Sequence, residues 1–334
     1  MLSYLTVLSS FSDFFPSQFY FSSKSTCERV SFEDYHIHGS VFQNLYHNGA
    51  GGACSFEMLT ARVAIESSLF NNCSAAFKGG AIDFRTTNGG LFLFKVCGFK
   101  CFSHTSGSDG AGQFGYHTIT AINPIYYSLV TISQCSPLTM EGRHDSIHVQ
   151  YGQNNFSEFN SSYNRGNRHV CQGCWWSDLS LKFSSFGHNI ADSYACIGVS
   201  FGPFLAQYIN INNCFTKEYG LIHHNGDYSH EGYSGNTIYS VFMDNNGIVF
   251  DICCGGSMMV KNSVFSAYSY GRDAPVTQNV SIGHFSLYKH RHYSTNNCDA
   301  EFPVDQEITF AFFGLTDKLP KIHYFALGLF FAIT

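Results

Sequence analysis

Charge is scarce in this chain of 334 residues: Asp, Glu, Lys and Arg together make up 13 %, about half the usual share. Proline (7) and tryptophan (2) are few as well. With 18 basic against 24 acidic side chains and a net charge of −6, there is no basic stripe to follow a phosphate backbone, which excludes nucleic acid as a partner. No window from residue 32 onward holds a sustained helical period, which excludes a helical fold. Carboxylates are sparse, and between Glu57 and Asp251 no two adjoin. The 13 cysteines are an odd number and too few for a small disulfide scaffold.

What the chain has instead is aromatic area, with 34 Phe and 20 Tyr, and one sentence written twice. Val41–Phe56, VFQNLYHNGAGGACSF, returns at Leu69–Phe84 as LFNNCSAAFKGGAIDF. Phe42 maps to Phe70, Asn44 to Asn72, Gly51-Gly52 to Gly79-Gly80 and Phe56 to Phe84. A fixed period of that size is the mark of stacked supersecondary units. A blurred kernel, apolar–any–small polar, continues through Phe99, Ile132, Phe156, Phe183, Ile211-x-Asn213, Phe242 and Phe265 to about Leu287. Its alternation is that of a strand.

Short strands at this interval leave a sandwich, a propeller or a parallel β-helix. A propeller blade needs about 40 residues or more, and a sandwich has no reason to repeat Phe and Asn in one register. A β-helix does, because coils about 4.8 Å apart stack equal residues into ladders. The expectation is an all-β, single right-handed parallel β-helix of the pectin-lyase-like type. Its ladder is Phe42, Asn44, Phe70, Asn72, Phe99, Ile132, Phe156, Phe183, Ile211, Asn213, Phe242 and Phe265. Gly51, Gly52, Gly79, Gly80 and a degraded third copy at Gly110 would turn the corners, where positive φ is required.

The GGAI corner with its Phe-x-Asn kernel resembles the repeat of the polymorphic outer-membrane-protein family and right-handed β-helix surface proteins of some protist parasites. The close match covers residues 42–84. The resemblance implies a surface protein. The bacterial members carry a signal peptide and a C-terminal membrane barrel, and neither shows here.

Candidates for chemistry are local and weak. Cys171-Gln172-Gly173-Cys174 is a lone CxxC where a zinc site needs four ligands, and it reads as a structural pair in a loop, with a disulfide as one form of it. Cys73 and Cys214, in Asn-Asn-Cys triplets, read as small hydrophobes beside the Asn ladder. Histidines gather at His36/His38, at His144-Asp145/His148, at His223-His224 with Asp227, His230 and Glu231, and at His290/His292. The His223–Glu231 group is the richest; it has the residue types to ligate a metal or supply an acid and a base, and reads first as a solvated loop. No metal and no cofactor are expected. A pectate-lyase-like carbohydrate-active enzyme would need paired carboxylates or a calcium cradle, so the expectation is a non-enzymatic adhesion or interaction scaffold with that enzyme class as the alternative.

Residues 1–31 are expected to cap the solenoid or serve as a weak targeting segment, 32–300 to form it, and 301–334 to cap it or hold a truncated membrane or anchor segment. The apolar run Tyr324–Ile333 spans about 15 Å as a helix, half a bilayer. A truncated span, an anchor tail and a last strand stay open. Membrane association would come through that run. Asn155, Asn160 and Asn279 are candidate glycosylation acceptors, as is Asn72, which fits a surface or extracellular place and a protein or glycan ligand on the solenoid's side.

Overall fold

The computed structural model describes residues 28–30, 34–60, 62–104, 112–120, 124–137, 145–226, 232–295 and 298. They form an all-β parallel solenoid of about seven turns with no helix. Each coil runs through face A, face B, a short edge and face C. Face A holds Asp34–His38, Gln153–Ser157, Asp178–Lys182, Phe204–Gln207, Ser234–Ile238 and Ser257–Lys261. Face B holds Val41–Gln43, Asn160–Ser162, Ser185–Gly187, Asn210–Asn212 and Val241–Met243. In three coils one bent strand serves both faces: Arg62–Asn71, Gly90–Phe99 and Pro124–Ser133. Face C is a sheet of nine parallel strands, from Glu28–Val30 to Phe250–Cys253.

The corners are left-handed. Between faces A and B, Gly39, Ser67, Lys95, Leu129, Glu158, Phe183, Tyr208, Tyr239 and Asn262 have φ from 49° to 59°. After face B, Asn44, Asn72, Lys100, Gln134, Tyr163, His188, Asn213 and Asp244 repeat it with φ from 49° to 56°. This conformation costs a non-glycine residue about 1 kcal/mol. At many of the corners the residue that follows offsets that cost by tying coils together.

After the first corner the tie is serine: Ser40 N–H donates to Ser68 Oγ, Phe159 N–H to Ser184 Oγ and Ser240 N–H to Ser263 Oγ, at 3.1–3.2 Å. After the second it is asparagine or cysteine, at Cys73, Cys101, Cys135, Asn164, Asn189, Cys214 and Asn245. Each of these side chains donates to a carbonyl of the preceding coil: Phe42, Phe70, Gly98, Ile132, Ser161, Phe186 and Ile211 respectively. The row that ties these corners is thus a mixed one of cysteine and asparagine, one residue beyond the positions expected for an asparagine ladder. Asn44 and Asn72 sit at the exposed corner, where Asn72 Nδ2 donates to Asn44 Oδ1 at 2.8 Å as a single outer rung. Asn213 holds the same exposed corner.

Inside, Phe42 stacks on Phe70 with centroids 4.8 Å apart, and Phe242 on Phe265 at 4.7 Å. Burying each ring contributes on the order of 1.5–3 kcal/mol. The registered row on face B is Phe42, Phe70, Gly98, Ile132, Ser161, Phe186, Ile211, Phe242, Phe265. Three expected members fall elsewhere. Phe99 pairs with Asn71 one residue off the row. Phe156 stacks on Tyr127 at 4.3 Å in the inner row of face A. Phe183 occupies a left-handed corner and faces outward. The row slipped because its third rung is Gly98, whose missing side chain is replaced by the Phe114 ring from face C: a Cβ on Gly98 would stand 2.3 Å from it.

The glycine pairs divide their work. Gly51 and Gly79 supply positive φ, 72° and 64°. Gly52 and Gly80 supply room, since a Cβ would meet the Gly80 and Gln113 carbonyl oxygens at 2.1 Å. In the third coil the positive-φ position is Gly112; Gly110 lies outside the described residues, as do 1–27 and 301–334 with their expected caps. Finally, residues 288–295 run back along face B, and Cys298 forms a disulfide with Cys97 across 201 residues.

Candidate functional site

Face C points one row of side chains outward: Ser55, Asp83, Tyr116, His148, Gly173, Gly198, His223, Asp251. The two glycines open a trough in the row. Asp145 and His169 fold into it from the preceding corner. A Cβ on Gly173 would stand 2.6 Å from Asp145 Oδ2, and one on Gly198 would stand 1.9 Å from the His169 ring.

The result is a chain of acids and imidazoles crossing five coils. His148 Nδ1 lies 2.6 Å from Asp145 Oδ2, and His169 Nδ1 lies 3.4 Å from Asp145 Oδ1. His169 stacks on His223 with centroids 6.3 Å apart, and His223 Nδ1 lies 2.8 Å from Asp251 Oδ2. Arg272 closes the far end with Nη2 2.6 Å from Asp251 Oδ2. Tyr194 and Tyr219, stacked at 4.4 Å, wall the side.

Burial raises the Asp145 carboxyl, and His148, His169 and Arg168 reverse that, holding it well below the usual carboxylate range. Burial likewise opposes His223 and Arg272 at Asp251, which is also held low. His169 is lowered by burial to about 4, against the pull of Asp145. Asp83 is raised by burial, with Arg85 (Nη2 2.9 Å away) countering it in part. At neutral pH the network is two ionised aspartates with a neutral imidazole between them. Both carboxylates and all three rings are buried, with relative exposures of 0–4 %. Asp145 and Asp251 belong to coils four rungs apart, about 19 Å along the axis, whereas a glycosidase pair stands about 5–9.5 Å apart.

Of the sequence candidates, the structure unites Asp145, His148, His223 and His169, which precedes the CxxC, in this network and adds Asp251 and Arg272. His144, Asp227, His230 and Glu231 lie outside the described residues. His224 faces inward, its Nε2 3.2 Å from the Gly202 carbonyl. Cys174 lies within the face C strand Gln172–Trp175 and Cys171 immediately precedes that strand, and both are free and buried. Burial pushes the Cys174 thiol up to about 12, so it is unreactive. Among the described residues no group of three or more His, Cys, Asp or Glu could hold a metal ion, and no helix is long and apolar enough to cross a membrane.

The outward side of face A is different in kind. Gln153, Asn155, Asp178, Ser180, Leu205 and Asn236 line an open cleft of about 340 Å³. The corner leading into it carries Trp176 stacked on Phe201 at 4.4 Å. Asn155 is half-buried in this cleft, Asn279 is exposed, and Asn160 is fully buried; a glycan on Asn160 is incompatible with the closed fold. Comparison with protein-family models, with curated proteins and with solved structures returned no match.

Proposed function

We propose that the protein is a non-enzymatic scaffold of the cell surface or secreted space, which presents its sides to a protein or glycan ligand. The observation that carries this is the set of aromatic stacks on the outside of the corners. Trp176–Phe201, Tyr163–His188 (4.7 Å), and Phe183–Tyr208–Tyr239 (5.4 and 5.1 Å) are parallel rings at coil spacing. Tyr163, Trp176 and Tyr239 are exposed. Rigid, amphipathic rings beside amide and hydroxyl groups suit recognition at small entropic cost.

The Cys97–Cys298 disulfide supports an oxidising compartment. So does the likeness of the GGA corners to polymorphic outer-membrane-protein-type repeats and protist surface β-helices. The two Asp–His pairs favour the second reading, a carbohydrate-active enzyme. Their burial and four-rung separation weigh against it. The test is binding of the full chain to protein and glycan arrays and to intact cells, comparing wild type with Trp176→Ala and Tyr239→Ala. Binding weakened tenfold or more in the variants supports the scaffold. Absence of binding by the wild type, or cleavage of a polysaccharide substrate, overturns it.

A further inference from the structure

On face B the outward row Cys97, Thr131, Asn160, Ser185, Asn210 has the polarity of a solvated surface. Yet Thr131, Asn160, Ser185 and Asn210 are 0 % exposed. What covers them is the returning segment. Asn210 Nδ2 donates to the Tyr288 carbonyl at 2.8 Å, and Tyr288 N–H donates to Asn210 Oδ1 at 3.0 Å. Thr131 Oγ1 donates to the Tyr293 carbonyl, and Cys298 is bonded to Cys97.

The segment alternates as an extended chain should. Lys289 and Arg291 are exposed, while His290 and His292 are buried against the solenoid. His290 packs edge-on against Phe183 at 6.3 Å and against His292 at 6.1 Å. His290 Nε2 and both ring nitrogens of His292 are buried without a hydrogen bond of good geometry. Two of the side chains that dock the segment are thus ones that a proton turns from neutral to charged.

We propose that residues 288–295 are an acid-released strap, tethered at its end by Cys97–Cys298, that uncovers the Thr131–Asn210 row when His290 and His292 protonate. Burial lowers His290 to about 4 and His292 to about 3, with the Tyr208 and Glu158 backbones offsetting part of the shift. The other titratable and charged groups around the rings are Glu158, Lys289, Arg291 and the hydroxyls of Tyr208, Tyr288 and Tyr293. Burial raises Glu158, with Arg291 countering it in part, so at this carboxyl acid favours the docked state and offsets part of the histidine effect.

The sign follows. Both histidines take protons at about 6.5 once free and near 3–4 when docked, so acid favours the released strap. Two such groups shift the opening equilibrium by on the order of a hundredfold or more between pH 7 and pH 5.

The experiment uses the full chain with Cys298→Ser, which leaves Cys97 as a thiol beneath the strap. Labelling by 4,4′-dithiodipyridine, which reacts with thiols in acid, is mapped by mass spectrometry at pH 7 and pH 5. Cys97 labelling that rises at least tenfold at pH 5 while Cys73 stays protected is the expected result, and His290→Gln with His292→Gln abolishes the rise. Equal Cys97 labelling at both pH values overturns the strap. Labelling of Cys97 only together with Cys73 overturns it too, since the whole solenoid is then opening.

Discussion

Asn189 Oδ1 accepts a hydrogen bond from the Asn164 backbone N–H at 3.0 Å, across 25 residues and one coil. Its Nδ2 donates to the Ser161 carbonyl at 2.8 Å, so one side chain pins two strands in register. The same place is filled by Cys at four of the seven positions. A thiol can therefore do part of the work of the amide, with longer contacts of 3.4–3.8 Å to the carbonyl.

Asn189→Ala leaves a buried N–H and a buried carbonyl unpaired and is expected to cost about 2–3 kcal/mol. Asn189→Cys should lose less than half of that. Asn72→Ala, at an exposed rung, should cost under about 0.5 kcal/mol. Urea midpoints of the three variants check the order, and equal losses at Asn72 and Asn189 would place the ladder at the corner after all.

Gly198 and His169 occupy each other's space. Gly198→Ala drives a methyl into the imidazole and should cost about 1–3 kcal/mol. In a His169→Ala background the same change should be nearly neutral, giving a coupling of about 1 kcal/mol or more. A double-mutant cycle by thermal or urea unfolding reads this directly, and strict additivity of the two changes would remove the ring from the trough.

Acid should destabilise the fold before any carboxylate at Asp145 or Asp251 protonates. His117, which meets the Tyr127 hydroxyl inside the solenoid, is lowered by burial to about 3, and His169 to about 4. Between about pH 6.5 and 4 the unfolded chain binds protons that the folded chain does not. Stability then falls as pH falls, by about 1.4 kcal/mol per pH unit for each such histidine. Asp83, raised by burial, acts in the opposite sense and softens the slope. A melting temperature that is constant from pH 7 to 4.5 would contradict this, and His117→Gln should flatten the profile.

The parts legible in the sequence are those where two coils are nearly equal. Phe42 and Phe70, Gly51 and Gly79, and Gly52 and Gly80 recur at a spacing of 28, and the structure stacks them. Beyond them the spacing along the Asn/Cys ladder becomes 34, 29, 25, 25 and 31 residues. The inward row also admits Gly98 and Ser161, so a search for repeated Phe slides onto Phe99, Phe156 and Phe183. Cys73 was readable as a small inert filler, but its equivalence to Asn164 needs the coil register. The face C network was legible only in pieces, Asp145 with His148 and His223 in its own local group. Joining them to His169 and Asp251 needs the coil register, which places Gly173 and Gly198 at the same strand position of consecutive coils.

The Cys97–Cys298 bond also sets how the molecule would answer a pull on its two ends. Each coil freed from the stack releases about 25–34 residues, or about 80–120 Å of chain. With the bond intact, the coils between Cys97 and Cys298 lie inside a covalent loop and feel no tension. Among the described residues, extension should therefore come from the few coils outside it, until a reductant lets the rest unwind in discrete steps.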